Sequence, residues 1–178
     1  YIAGTTQPNK WVVAKITKTV QNEVQLEWQN YGFFEPDMNY SDNNSFVRAV
    51  TKCIDYVNLT TPVEQRVPRE IIVAMAVIET GYGTSRFALK GNNLFGIRTW
   101  NVKEAQLKPK DNPNVKWGVK TYITKCQSVQ DMVSIINRLP HYEDFRQVRD
   151  YQLKTGDHDV YALVPLLSEW STNPNYTN

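Results

Sequence analysis

The sequence predicts an α+β fold, mainly α, and three observations predict it. From about Ser45 apolar residues recur at helical spacing, and residues 71–78 form an unbroken apolar run. Strand-like character is confined to short stretches near residues 97–102 and 115–126. At 178 residues the chain can bury one core and has little room for a second full domain. Its 20 basic and 18 acidic residues leave a net charge of +2, without the concentrated positive field that nucleic-acid binding needs. A weakly anionic polymer is the better-matched partner. No apolar run approaches the roughly 20 residues of a membrane span. The start has neither an initiator Met nor a signal pattern, so the chain reads as trimmed, with its targeting segment not present.

Residues 1–10 are polar and read as a loose arm. Between residues 11 and 28, Val12, Ala14, Ile16, Val24, Leu26 and Trp28 alternate with polar neighbours, which favours a hairpin turning at Gln21-Asn22. A four-residue step through Val12, Ile16, Val20 and Val24 keeps a helix open. Residues 35–45, rich in Asn, Asp and Ser, read as a linker. The expected division is therefore an N-terminal arm over residues 1–44 and a main domain over 45–178. In that domain Phe46, Val47, Val50, Ile54 and Val57 share one helix face that ends near Asn58. Pro68 suits the first position of a second helix, with Glu70 in its first turn. Because residues 71–78 are apolar on every face, this second helix should lie inside the protein.

Gly81 is placed to end that helix in a left-handed conformation. Thr84 can cap a short helix running to Lys90 and closed by Gly91. A small β-lobe is expected at about residues 95–126, with a loop holding Pro109 and Pro113. Ser128 and Asp131 resemble a capping box that opens a helix striped by Val129, Met132, Val133, Ile136 and Leu139. Two more helices are expected near residues 143–154 and 159–169, with Pro165 kinking the last or marking its start. Cys53 and Cys126 are the only cysteines and His141 and His158 the only histidines, so neither a disulfide-rich scaffold nor a zinc site is expected. Both cysteines read as small buried side chains, and a bridge between them stays open. No metal and no cofactor is expected.

Glu79 is the residue that calls for explanation. A carboxylate at the end of an apolar helix is desolvated, and the carbonyl end of the helix repels its charge. Both effects raise its pKa above the reference of about 4.3. A carboxylic acid that keeps its proton is what a glycosidase uses to protonate the leaving oxygen of a sugar linkage. A surface-reaching Glu at a helix end is the alternative reading.

The residues around Glu79 carry a resemblance. Ala76-Val-Ile-Glu79-Thr-Gly-Tyr-Gly-Thr-Ser-Arg-Phe-Ala88, followed by Gly91-Asn-Asn-Leu-Phe-Gly-Ile97, resembles the core of the β-N-acetylglucosaminidases of glycoside hydrolase family 73. That family includes flagellar and autolysin-type cell-wall hydrolases and the Bax-like proteins. Ser128-Val-Gln-Asp-Met-Val133, Pro140-His-Tyr-Glu-Asp-Phe-Arg146 and Ser171-Thr-Asn-Pro-Asn-Tyr176 extend the likeness, the second of them toward the Bax-like branch. It covers roughly residues 45–178.

The resemblance implies a lysozyme-like helical lobe and a small β-lobe with a groove between them. It implies an exported enzyme, periplasmic or associated with the cell wall, that hydrolyses the β-1,4 bond after N-acetylglucosamine in peptidoglycan strands. Glu79 would be the general acid. Gly81 and Gly83 would let the backbone turn beneath the sugar, and Tyr82 would line the groove. Ser85, Arg98 and Trp100 join Tyr82 as substrate contacts, with Trp117 as a further aromatic candidate. Asn92 and Asn93 would hold the turn that joins the lobes, Asn92 also being a candidate contact, and Phe95 reads as either core or sugar platform. Tyr176 would point its hydroxyl toward Glu79. The family places a second carboxylate on the β-lobe, and Glu104 and Asp111 are the candidates, although each also reads as a solvated loop charge. Without one, the substrate's own 2-acetamido group can serve as nucleophile. A muramidase or lytic transglycosylase is the enzymatic alternative. An inactive wall-binding component of a secreted, flagellar or phage assembly is the alternative of another class. The family usually continues into a closing helix beyond the position of Asn178, so the chain also reads as shortened there.

Overall fold

The computed structural model describes residues 16–24, 27, 33–173 and 175–177. Residues 16–24 are helical (α1), so the hairpin turn expected at Gln21-Asn22 is not formed there. The four-residue step prevails, and Ile16, Val20 and Val24 lie exposed along the helix. Residues 11–15 lie outside the described residues.

Helix α2 (Asn43–Asn58) starts two residues earlier than the periodicity predicts, because Asp42 and Ser45 form a reciprocal capping box. Its buried face, Phe46, Ala49, Val50, Cys53, Ile54 and Val57, packs against α3 (Arg69–Thr80) and α5 (Lys125–Arg138). Helix α3 buries Ile71, Ile72, Met75, Ala76 and Thr80. It is not enclosed on every side: Ala74 is exposed and Ile78 is 62% exposed, so one face reaches the surface just before Glu79. Pro68 is the cap before this helix, and Gly81 ends it at φ 56° and ψ 57°.

Helix α4 (Arg86–Gly91) is capped by Ser85, whose hydroxyl accepts from Ala88 N at 3.2 Å. Thr84, the expected cap, instead donates to Gly81 O at 2.8 Å, and the left-handed closing residue is Asn92 rather than Gly91. The β-lobe is a three-stranded antiparallel sheet ordered β1 (Arg98–Thr99), β3 (Gly118–Lys120), β2 (Gln106–Leu107). Arg98 pairs with Val119 and Gln106 with Lys120. The strand-like stretch expected to reach Cys126 stops at Lys120, because Thr124 accepts from Gln127 N and starts α5 there. Ser128 is therefore inside α5, not at its cap. Its hydroxyl donates to Lys125 O and accepts from Leu94 N, fastening the helix to the turn before β1. Asp131, freed from capping, accepts from Lys120 Nζ at 2.8 Å and Tyr122 OH at 2.7 Å.

Helix α6 (Glu143–Thr155) is followed by α7 (Val160–Leu163) and a 3-10 segment over Val164–Trp170. The expected single helix over 159–169 is thus divided next to Pro165, which has no N–H to continue an α ladder. Two cysteines read as buried thiols are joined in a disulfide, Cys53 in α2 to Cys126 in α5, with Cα atoms 5.1 Å apart. The segment read as a linker is docked as well. Met38 and Tyr40 pack on the core, and the Tyr40 ring meets Phe46 edge-on at 5.0 Å.

Candidate active site

Glu79 is the penultimate residue of α3, and the backbone reverses at once beyond it. Gly81, Tyr82 and Gly83 all have positive φ, at 56°, 58° and 77°. For Tyr82 this is a sparsely populated conformation that surrounding contacts must hold. Thr80 is one such contact, since its hydroxyl accepts from Gly83 N at 2.7 Å. The reversal leaves Glu79 half-buried beside Gly96, which also has positive φ; a Cβ there would lie 3.1 Å from Glu79 Oε2. Only glycine gives the carboxyl this space without strain.

Asn93 builds the wall that carries Gly96. It is fully buried and makes four bonds. Its Nδ2 donates to Ile97 O and Lys120 O, and its Oδ1 accepts from Phe95 N and Ile97 N. Asn92 is similarly engaged, donating to Tyr122 O and Ile123 O and accepting from Lys125 Nζ. Both amides are committed to joining the lobes. Phe95 is 1% exposed and belongs to the core, which removes it from the expected sugar contacts. Ser85 uses its oxygen to cap α4.

The C-terminal segment packs against the same core through Trp170 and Tyr176. Trp170 Nε1 donates to Phe95 O at 3.1 Å, and Asn173 organises the turn by accepting from Asn175 N and Tyr176 N. This carries Tyr176 to Glu79. The Tyr176 hydroxyl is buried without a partner of good hydrogen-bond geometry, yet lies close enough for the two groups to act on each other. Burial pushes the Glu79 carboxyl above the ordinary range, against the opposing pull of the Tyr176 hydroxyl and the Arg98 charge. Burial and the Glu79 charge together push the Tyr176 phenol up. Tyr142, buried nearby, is pushed up to about 12 by burial and by Glu169.

Arg98 leaves β1 with its guanidinium 4.2 Å from the centre of the Trp117 ring, a cation–π arrangement that holds it on the lobe. Trp100, two residues further on, is 64% exposed. The groups that act on Glu79 are therefore a phenol and a guanidinium. Glu104 lies elsewhere on the lobe, where its charge helps raise the Tyr122 phenol, and Asp111 is exposed on the loop between β2 and β3. Among the described residues no cluster of His, Cys, Asp and Glu could hold a metal ion. Sequence reasoning passed over Thr80, Gly96 and Trp170 as parts of this site. Their signals are a hydroxyl at a helix end, a lone glycine between two core residues, and a tryptophan six residues before Tyr176.

Residues 62–178 match the glucosaminidase family, described as mannosyl-glycoprotein endo-beta-N-acetylglucosaminidase. The chain belongs to this family. Protein bax of Escherichia coli (strain K12) is 32% identical over 115 residues, which are 63% of this chain and 40% of that protein. The glucosaminidase domain is thus of the Bax-like kind, and the chain spans about two-fifths of the length of that relative. No solved structure matches it. Family membership makes residues 62–178 a glucosaminidase domain of the glycoside-hydrolase kind. No helix among the described residues is long and apolar enough to cross a membrane.

Proposed function

We propose that this glucosaminidase domain hydrolyses the β-1,4 bond after N-acetylglucosamine in peptidoglycan, with Glu79 as general acid. One observation carries the reading: a half-buried carboxyl, raised by desolvation, faces a buried hydroxyl beside the strained turn after α3. An acid that holds its proton more tightly than an exposed carboxyl can donate to the glycosidic oxygen as the C1–O bond breaks, so the leaving sugar departs as an alcohol. Water then adds at C1 and returns a proton to Glu79. Tyr176 sets the strength of this acid, and Arg98 offsets the negative charge once the proton has gone. Tyr82, Arg98 and Trp100 are the sugar contacts of this reading.

Among the described residues the groups that act on Glu79 include no second carboxylate, which favours the substrate's 2-acetamido oxygen as the group that attacks C1. The intermediate would be an oxazoline that water opens. Work outside the cytoplasm, periplasmic or at the wall, follows from the substrate and fits the Cys53–Cys126 bridge.

The test is digestion of purified peptidoglycan, borohydride reduction and mass spectrometry of the products. Reduced N-acetylglucosamine at the new ends is expected. Reduced muramic acid would make the domain a muramidase, and an anhydro sugar a lytic transglycosylase. Glu79→Gln that clears a peptidoglycan gel as well as wild type would remove Glu79 from its role, whereas wild-type protein that releases no new ends would point to a wall-binding function. A thiazoline analogue of N-acetylglucosamine should inhibit, and Glu104→Gln and Asp111→Asn should retain activity.

A further inference from the structure

We infer that Tyr40, which lies before the family match begins at residue 62, is a positioning residue for the turn that follows Glu79. This rests on the reading of Glu79 as the acid. The Gly81-Tyr82-Gly83 turn contains a non-glycine residue at φ 58° and reverts to relaxed backbone unless it is held. Gly83 is gripped through both of its backbone polar groups. Thr80 accepts its N–H at 2.7 Å, and the Tyr40 hydroxyl donates to its carbonyl at 2.9 Å.

Packing makes the grip specific. The face where Gly83 would carry a side chain is filled by Tyr40 and Phe46, with Phe46 Cε2 2.6 Å from an ideal Cβ position. The Tyr40 ring abuts Phe46 edge-on at 5.0 Å, and Phe46 in turn meets the Tyr82 ring edge-on at 6.2 Å. A continuous aromatic row therefore runs from Tyr40 to Tyr82. Lys125 Nζ lies 5.7 Å from the centre of the Tyr40 ring, and Pro36 O rests 3.9 Å from Cys126 Sγ, so the segment bearing Tyr40 is itself anchored to α5. Burial raises the Tyr40 phenol above its ordinary range, which favours the donor form. Without that donor a partly buried carbonyl loses its partner, and the turn loses one of its two grips beside Glu79.

The experiment uses the full chain and Tyr40→Phe, which keeps the ring and removes one hydroxyl. Amide hydrogen exchange over residues 80–85 should accelerate while α2 and α5 stay protected. Peptidoglycan turnover should fall about tenfold in kcat, with KM and the melting temperature little changed, as misplacement of a catalytic turn requires. Unchanged exchange over 80–85 would overturn the inference, and so would faster exchange with kcat unaltered. Glu79→Gln is read in parallel. If it leaves turnover intact, the acid assignment fails by its own measurement, while the exchange experiment still reports whether Tyr40 holds the turn.

Discussion

Breaking the Cys53–Cys126 bridge should remove a large, calculable share of the stability. The bond closes a loop between residues 73 apart, joining α2 to the first turn of α5. Loop-closure entropy for that separation is about 15 cal/mol/K, or about 4.4 kcal/mol at 25 °C. A domain is held by about 5–15 kcal/mol in all, so the loss is roughly 30% or more. At this chain length each kcal/mol moves the melting temperature by about 2–4 °C, so reduction should lower it by roughly 9–18 °C. The assay is urea unfolding by circular dichroism on the same protein, oxidised and held reduced, which avoids the packing changes of a cysteine substitution. Thiol titration of the unfolded chain verifies each state. Stabilities within about 1 kcal/mol of each other would refute the loop-entropy reasoning, and two free thiols in native oxidised protein would refute the bridge.

Glu79→Gln should reduce peptidoglycan turnover by about 10²–10⁴. The same substitution has a pH signature: the fold holds the Glu79 proton more tightly than the unfolded chain does, so wild type loses stability as pH rises from 4.5 through the folded value. Gln carries no such loss, so its relative stability should rise between pH 3.5 and 7 in urea titrations; equal differences at both pH values would refute the buried-acid argument. Tyr176→Phe removes the hydroxyl that draws Glu79 down, so the alkaline limb of the kcat/KM profile should move to higher pH, and a shift to lower pH would contradict it. Asn93→Ala strands two N–H groups and two carbonyls, and thermal unfolding should show a loss of about 3 kcal/mol or more.

Much of the helical framework was legible in the sequence because a helix reports itself locally. Phe46, Val50, Ile54 and Val57 repeat at three and four residues, and the buried stripe of α2 follows that spacing. Gly81 announces its left-handed turn by being glycine directly after an apolar helix. Glu79 stands out because a carboxyl in such a setting demands a reason. Caps were less legible: Thr84, Ser85, Thr124 and Ser128 are alike in type, and only the backbone path decides which oxygen meets a free N–H.

The sequence by itself therefore determined the mainly helical class, the carboxyl at the end of an apolar helix and the family motif around it. Each depends on residue types within a few positions of one another. Only the tertiary structure decided that Cys53 meets Cys126, that Phe95 belongs to the core, and that Ile78 faces out of a helix apolar all round. It also decided that a polar stretch read as a linker brings Tyr40 to Gly83, across 43 residues of chain. Such pairings are set by how helices pack and which side chains fill the space between them, and local periodicity carries no record of a partner so distant.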